Sequence, residues 1–381
     1  MEDNKRVPPK NFMKSRARKK RRLNNRKSPV SNQITSSHFK GEKIIWSLQD
    51  YIPRHIYPEI HAENKSPWRK PTHEELARAQ SIVDSFVPFT HGKVILIDKT
   101  HAKVVAVIKF IPISELSAKE KRDINRVTTF LHKSKKFVNR IAPGRVWGGG
   151  MWGVGWRKCM KALELFGRYI KLRVAHTWRG EYLKLAVQGL SVSRILGQMF
   201  KSLGDIPFES NRKLMEEHGI LSLASGEFND RLSEFDCSPH ITFTTNGFYN
   251  RPHRDTGDAS EFAFALFVPT KSSDGTLADA ETESNASGGR FVFPDYKCYI
   301  EFQPQTVVKL LWAAKSCEHC TLPGFEPKGF TRMGMSLQIT QTALNICSAI
   351  KTGIIYLRKT YRYKKNLYFG GHQNYMGKRS T

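Results

Sequence analysis

Two strand patterns joined by one short polar loop, between Pro239 and Pro269, constrain the fold more than any other stretch of this chain. In His240–Tyr249, Ile241, Phe243 and Thr245 alternate with polar neighbours, the period-2 pattern of a half-buried strand. Glu261–Val268 is apolar on both faces and belongs in the middle of a sheet. The loop between them carries Arg251-Pro252-His253-Arg254-Asp255. An imidazole and a carboxylate one residue apart can face a single metal ion, although the triplet alone occurs by chance in many proteins. Strand-length runs continue at 290–294, 297–303, 306–313 and 334–341, and a short closing helix is expected over 342–352. Strands in this series predict a sandwich or jelly roll. A polar Ser/Asp/Glu/Ala-rich insert, 271–289, interrupts them and is expected on the surface.

Upstream the pattern is mixed, which makes the whole chain α+β. Residues 39–144 are expected to pack on the strand core. Thr72 and Glu75 form a capping box for a helix over 73–86. Lys93–Asp98 and Lys103–Ile111 read as a hairpin, and 114–136 as a charged helix with Ser117 as its cap. Residues 145–157 hold three Trp and five Gly among basic residues. They read as a Gly-rich loop, either pinned to the core by its Trp residues or offering them to nucleic-acid bases. No Gly-Lys-Ser/Thr follows, so this is not a phosphate-cradling P-loop. Helices are expected over 157–170, 180–203 and 210–218.

The formal net charge is +28. The first 30 residues carry 12 Lys/Arg against two acids, and residues 351–381 carry eight Lys/Arg and no acid. Such a field attracts polyanions, nucleic acid above all. Residues 1–38 are too polar to fold alone, and Arg16–Arg22 resembles a nuclear-import signal, from which a nuclear protein is expected; a non-specific nucleic-acid-binding arm is an equally physical reading, and one segment can be both. The tail 351–381 alternates bases with Tyr and Phe, a mix suited to nucleic acid or to a protein partner. No apolar run reaches membrane-spanning length, and six cysteines in 381 residues suggest a reducing compartment, not a disulfide scaffold.

His319 follows Asp255 by 64 residues, at the end of the apolar strand 306–314. With His253 and Asp255 it makes two imidazoles and one carboxylate. That set fills three positions of an octahedral metal and leaves three open, which suits Fe(II) in an oxygenase. A 2-oxo acid could chelate such a metal, and the remote carboxylate of 2-oxoglutarate would then need a buried cation. Arg332, 13 residues on, offers a permanently charged fork. Ser336 shares its strand face and could add a hydroxyl. The competing arrangement is a zinc site of Cys317, His319 and Cys320 with Cys237 and His240.

The segments 249–255 (Tyr-Asn-Arg-Pro-His-Arg-Asp), 288–294 (Gly-Gly-Arg-Phe-Val-Phe-Pro), 318–321 (Glu-His-Cys-Thr) and 330–338 (Phe-Thr-Arg-Met-Gly-Met-Ser-Leu-Gln) together resemble the fungal, mobile-element-associated Tet-like oxygenases of the TET/JBP group. The resemblance covers roughly 145–345, within an oxygenase domain drawn as 145–350. It implies a double-stranded β-helix, a jelly-roll or cupin-like core with supporting N-terminal helices. It implies Fe(II), 2-oxoglutarate and dioxygen as cofactors, and DNA as partner. It assigns iron to His253, Asp255 and His319, and 2-oxoglutarate to Arg332. The implied reaction is oxidation of a 5-methylpyrimidine, chiefly 5-methylcytosine to 5-hydroxymethylcytosine. Another methylated base, RNA, a protein side chain, or an inactive nucleic-acid-binding protein of a mobile element are the alternatives. Animal members carry a cysteine-rich zinc-binding segment that this chain lacks, and their Ser follows the arginine by two positions, not four. Asn246, Tyr249 and Arg254 are candidates for substrate contact by proximity along the chain alone.

Overall fold

A computed structural model describes residues 33–39, 41–65, 68–141, 144, 146–158, 165–226, 230–357 and 369–370. The expected import signal and most of the basic tail lie outside them. In chain order the strands are β1 (Gln33–Phe39), β2 (Glu42–Gln49), β3 (Val87–Phe89), β4 (Lys93–Asp98), β5 (Lys103–Pro112), β6 (Val146–Lys158), β7 (Phe166–Arg168) and β8 (His240–Asn250). They continue with β9 (Ala263–Lys271), β10 (Ser287–Gly288), β11 (Phe291–Phe293), β12 (Cys298–Ile300), β13 (Thr306–Trp312), β14 (Cys320–Thr321), β15 (Gly324–Phe325), β16 (Phe330–Leu337) and β17 (Phe369–Gly370).

One large sheet has the order β1-β2-β4-β5-β13-β9-β16-β8-β6-β7-β17, and a second has the order β14-β11-β12-β3. The central strands β5, β13, β9, β16, β8 and β6 are all antiparallel to their neighbours. The two sheets share a core in which Ala263, Ala265, Val308, Leu310 and Trp312 meet Phe291, Phe293, Cys298 and Ile300. This is the double-stranded β-helix, with helices added on the outside.

Period-2 alternation divides the work of the central strands. Ile241, Phe243, Phe264, Leu266, Val268, Met333, Met335 and Leu337 face outward and pack under the helices Ala118–Ser134 and Arg179–Leu203. Full burial of such a side chain contributes about 1.5–3 kcal/mol. Their neighbours Thr242, Thr244, Ala265, Gly334 and Ser336 turn toward the second sheet, where they line a cavity. Small residues there leave open the space that larger ones would fill.

The capping box expected at Thr72 is formed, and Ser117, expected as a cap, forms a second one with Glu120. In the second, Ser117 Oγ accepts from Glu120 N at 3.2 Å while Glu120 Oε2 accepts from Ser117 N at 2.9 Å. Ser117→Ala is expected to cost about 1 kcal/mol of stability, read as a lower urea midpoint at unchanged slope.

Four expectations need correction. The Gly/Trp stretch is a strand, β6, and not a loop, because it pairs with β8 along most of its length. Trp147 and Trp156 are buried and Trp152 stacks on Phe243 at 5.5 Å, so the tryptophans pin the strand to the core. The glycines are needed for close approach: Gly149 has φ +65°, and a Cβ there would lie 2.4 Å from Phe248 backbone atoms. The helix expected over 157–170 is also absent where described. Phe166–Arg168 is instead a strand that folds back on Trp156–Lys158, and Phe166 stacks on Trp156 with rings 5.9 Å apart. The arm expected to run unstructured to residue 38 ends in β1, which pairs with β2 across Gly41 at φ +77°. The insert 271–289 is not merely superficial. Its Glu283 is buried and accepts from Gln305 N at 2.7 Å and Gln305 Nε2 at 2.8 Å.

Candidate metal centre and active-site cavity

His253, Asp255 and His319 are the only group of this kind among the described residues: one ligand atom from each lies within 4.8 Å of the others. Backbone pairing brings them together. His253 N donates to His319 O at 3.0 Å and His319 N to His253 O at 2.9 Å, a single bridge that ties the loop after β8 to the start of β14. Asp255 N donates to Ala314 O at 2.9 Å.

The imidazoles are oriented by their far nitrogens. His253 Nδ1 lies 3.0 Å from Arg251 O and His319 Nδ1 3.0 Å from Cys317 O. A carbonyl only accepts, so each Nδ1 carries the proton and each Nε2 presents a lone pair. Both Nε2 atoms face Asp255, at 3.6 and 3.7 Å. Burial pushes the His319 pKa down, with Asp255 acting in the opposite direction, and the neutral ring is the form a metal needs. Phe291 stacks on His319 at 5.6 Å and Trp312 meets it edge-on at 5.3 Å. Three convergent donors, two of them tautomer-locked, fit a divalent metal with an open face.

The three residues line a cavity of about 180 Å³ that also includes Arg332, Phe302, Thr242 and Ser336. Arg332 Nη1 donates to Gly288 O at 3.1 Å, and its guanidinium carbon sits 4.6 Å from the centre of the Phe302 ring. Burial lowers the Arg332 pKa, offset by Glu283, Glu326 and Glu301. Gly289, at φ +71°, is what lets the guanidinium in: a Cβ there would stand 3.0 Å from Arg332 Nη1. A cation in this setting fits the remote carboxylate of a 2-oxo diacid. Ser336 lines the same cavity, but its hydroxyl pairs with Thr242 Oγ1 at 2.6 Å.

The candidates taken from proximity are placed elsewhere. Arg254 donates to Asp295 Oδ2 at 2.8 Å and to Tyr51 Oη at 3.1 Å, away from the cavity. Asn246 is exposed at φ +63°, and the Tyr249 ring lies against Gly148. Neither lines the cavity, whereas Phe248 and Asn250 do. Asn250 Oδ1 accepts from Thr321 N at 2.8 Å and so braces the strand that follows His319. The zinc alternative is not assembled: Cys237, Cys317 and Cys320 belong to three different apolar clusters. His240 is buried, with its pKa pushed down to about 4 and its Nδ1 without a partner among the described residues.

A jelly roll whose two histidines and one carboxylate open onto a cavity with a half-buried arginine defines the class of non-haem iron oxygenases. The family model described as the Tet-like 2OG-Fe(II) oxygenase superfamily matches residues 117–324, more than half of the chain. The chain belongs to this superfamily and is a 2-oxoglutarate/Fe(II)-dependent dioxygenase, using Fe(II), 2-oxoglutarate and dioxygen. No curated protein matches it. Among solved structures, "NgTET1 in complex with 5mC DNA" is 10% identical with a TM-score of 0.38, covering 72% of this chain and 92% of that one. A 2OG-Fe(II) family oxidoreductase from Burkholderia pseudomallei is 12% identical with a TM-score of 0.29, covering 61% and 84%. A prolyl-4-hydroxylase from Pseudomonas putida is 9% identical with a TM-score of 0.27, covering 61% and 91%. Likenesses at these scores are distant, and the assignment rests on the family match.

Proposed function

We propose that this dioxygenase oxidises a methylated base in DNA, 5-methylcytosine first of all, to its hydroxymethyl form, and that it works in the nucleus. The observation that carries the reading is the convergence of His253, Asp255, His319 and Arg332 on one cavity in a chain of the Tet-like superfamily. The net charge of +28 supports a polyanionic substrate. In this reading the Nε2 atoms of His253 and His319 and the Asp255 carboxylate hold Fe(II). Arg332 holds the remote carboxylate of 2-oxoglutarate. With dioxygen these supply a two-electron oxidation that converts a methyl group to hydroxymethyl while 2-oxoglutarate becomes succinate and carbon dioxide.

The chain's own residues position and protect. The carbonyls of Arg251 and Cys317 keep both imidazoles in the ligand tautomer. Phe267, Phe291, Phe302 and Trp312 give the cavity apolar walls that keep water from the reacting groups. A duplex cannot deliver a stacked base into such a cavity, so the target is flipped out. Basic side chains hold phosphates without reading sequence.

The test is purified protein with Fe(II), 2-oxoglutarate and methylated or unmethylated duplex, followed by mass spectrometry of nucleosides. 5-Hydroxymethylcytosine is expected from the methylated duplex only, and His253→Ala should abolish it. Succinate release that ignores DNA would overturn the substrate and favour RNA or protein.

A further inference from the structure

Burying a polar group without a partner costs free energy, so an idle polar atom on a cavity wall points to a missing ligand. Two such atoms belong to residues that line this cavity. Gln338 Oε1 and Trp312 Nε1 are buried, belong to lining residues and have no hydrogen-bond partner among the described residues.

Their place on the sheet separates them from the arginine. Along β16 and one residue past its end, the cavity lining includes Arg332, Gly334, Ser336 and Gln338. Arg332 stands near the start of this series and Gln338 at its end. The metal-site loop returns to the Gln338 end: Ala259 N donates to Ile339 O at 2.7 Å, and Asp258 bridges to Thr340. A diacid reaching from the triad to Arg332 therefore runs over Ser336 and Gly334 and leaves Gln338 uncovered. Trp312 of β13 pairs with Ala263 of β9, and Phe264 pairs with Leu337, the last residue of β16, so continuing the register sets Gln338 opposite Ala263. Trp312, Ala263 and Gln338 thus form one row, with the small Ala263 between two idle polar groups and His319 5.3 Å from the Trp312 ring.

We propose that Gln338 reads the target base, its amide oxygen accepting a hydrogen bond from the exocyclic amino group of 5-methylcytosine, while the Trp312 N–H supplies a donor to the same ligand. This rests on the function proposed above and adds a basis for its specificity. Thymine carries the same methyl group but a carbonyl oxygen where cytosine carries the amino group, so it would set oxygen against oxygen.

The experiment compares 5-methylcytosine and thymine in otherwise identical oligonucleotides, with wild type, Gln338→Leu and Gln338→Glu. Gln338→Leu should lower kcat/KM for 5-methylcytosine roughly tenfold, the worth of one uncharged hydrogen bond, while thymine oxidation, relieved of the opposed oxygen, should not fall, so that the preference narrows. Gln338→Glu keeps the acceptor and should keep the preference. Binding of each oligonucleotide by fluorescence anisotropy, without 2-oxoglutarate, should shift in parallel. Iron content and the KM for 2-oxoglutarate should not change, which also reports that the variants are folded. An unchanged base preference in Gln338→Leu, or a raised KM for 2-oxoglutarate instead, would overturn the assignment. A wild type that oxidises neither base would overturn the proposed function itself, a different result from an active wild type whose variant is indifferent.

Discussion

Asp255→Asn is expected to lower iron-dependent succinate release by more than about a hundredfold, beyond the 10–100-fold typical of disturbing a ligand's supporting partners. The substitution is nearly isosteric, so the backbone bond from residue 255 to Ala314 O can persist, as can the bridge between His253 and His319. What disappears is the one anionic donor, which faces both Nε2 atoms at 3.6 and 3.7 Å. Two neutral imidazoles do not neutralise a divalent cation, and an amide oxygen is a weaker ligand than a carboxylate. Metal stoichiometry should fall with activity. A second readout needs no turnover: Mn(II), as a redox-silent probe, should raise the melting temperature of the wild type and not of the variant, because only binding to the folded state stabilises it. Stoichiometric metal and full turnover in Asp255→Asn would refute the site.

The residues that the sequence made legible are those whose chemistry is local. His253 and Asp255 flank Arg254 on a loop between two recognisable strands, and His319 follows an apolar strand, so residue type and order sufficed. Thr72 and Ser117 cap helices through partners three residues away, which sequence also displays. Tertiary effects stayed hidden. β6 is rich in glycine, which is depleted in strands, and its neighbours in space explain it: Tyr249 at Gly148, Phe248 at Gly149, Tyr169 at Gly153 and Pro239 at Gly155. Asn246 and Gly247 both take φ +63°, a kink that breaks the alternation of β8. Proximity in sequence was therefore misleading for Asn246 and Tyr249. Phe302 and Glu326 line the cavity from connecting segments with no local pattern. The one available signal for Gln338 was its period-2 relation to Arg332 and Ser336, and without the cavity it had no meaning.

Arg332→Leu is expected to raise the KM for 2-oxoglutarate by about 10²–10⁴-fold, since removing one partner of a desolvated ion pair costs about 3–5 kcal/mol. The sign of a second effect follows from the same geometry. Without co-substrate the guanidinium has a carbonyl, Gly288 O, and the face of Phe302 for company, and burial already pulls its pKa down. Carboxylates of Glu283, Glu326 and Glu301 offset that cost from around the cavity. Leucine removes the desolvated charge, so the variant without ligand should be no less stable than wild type, while 2-oxoglutarate should no longer raise its melting temperature. Arg332→Lys separates charge from shape. It keeps a cation but loses the planar fork, so its KM should fall between wild type and Arg332→Leu. Iron binding should survive in both variants, because no triad atom depends on this side chain. If Arg332→Leu instead lost iron and kept its affinity for 2-oxoglutarate, the cavity would be oriented the other way round, and the co-substrate would have to be sought at the Gln338 end.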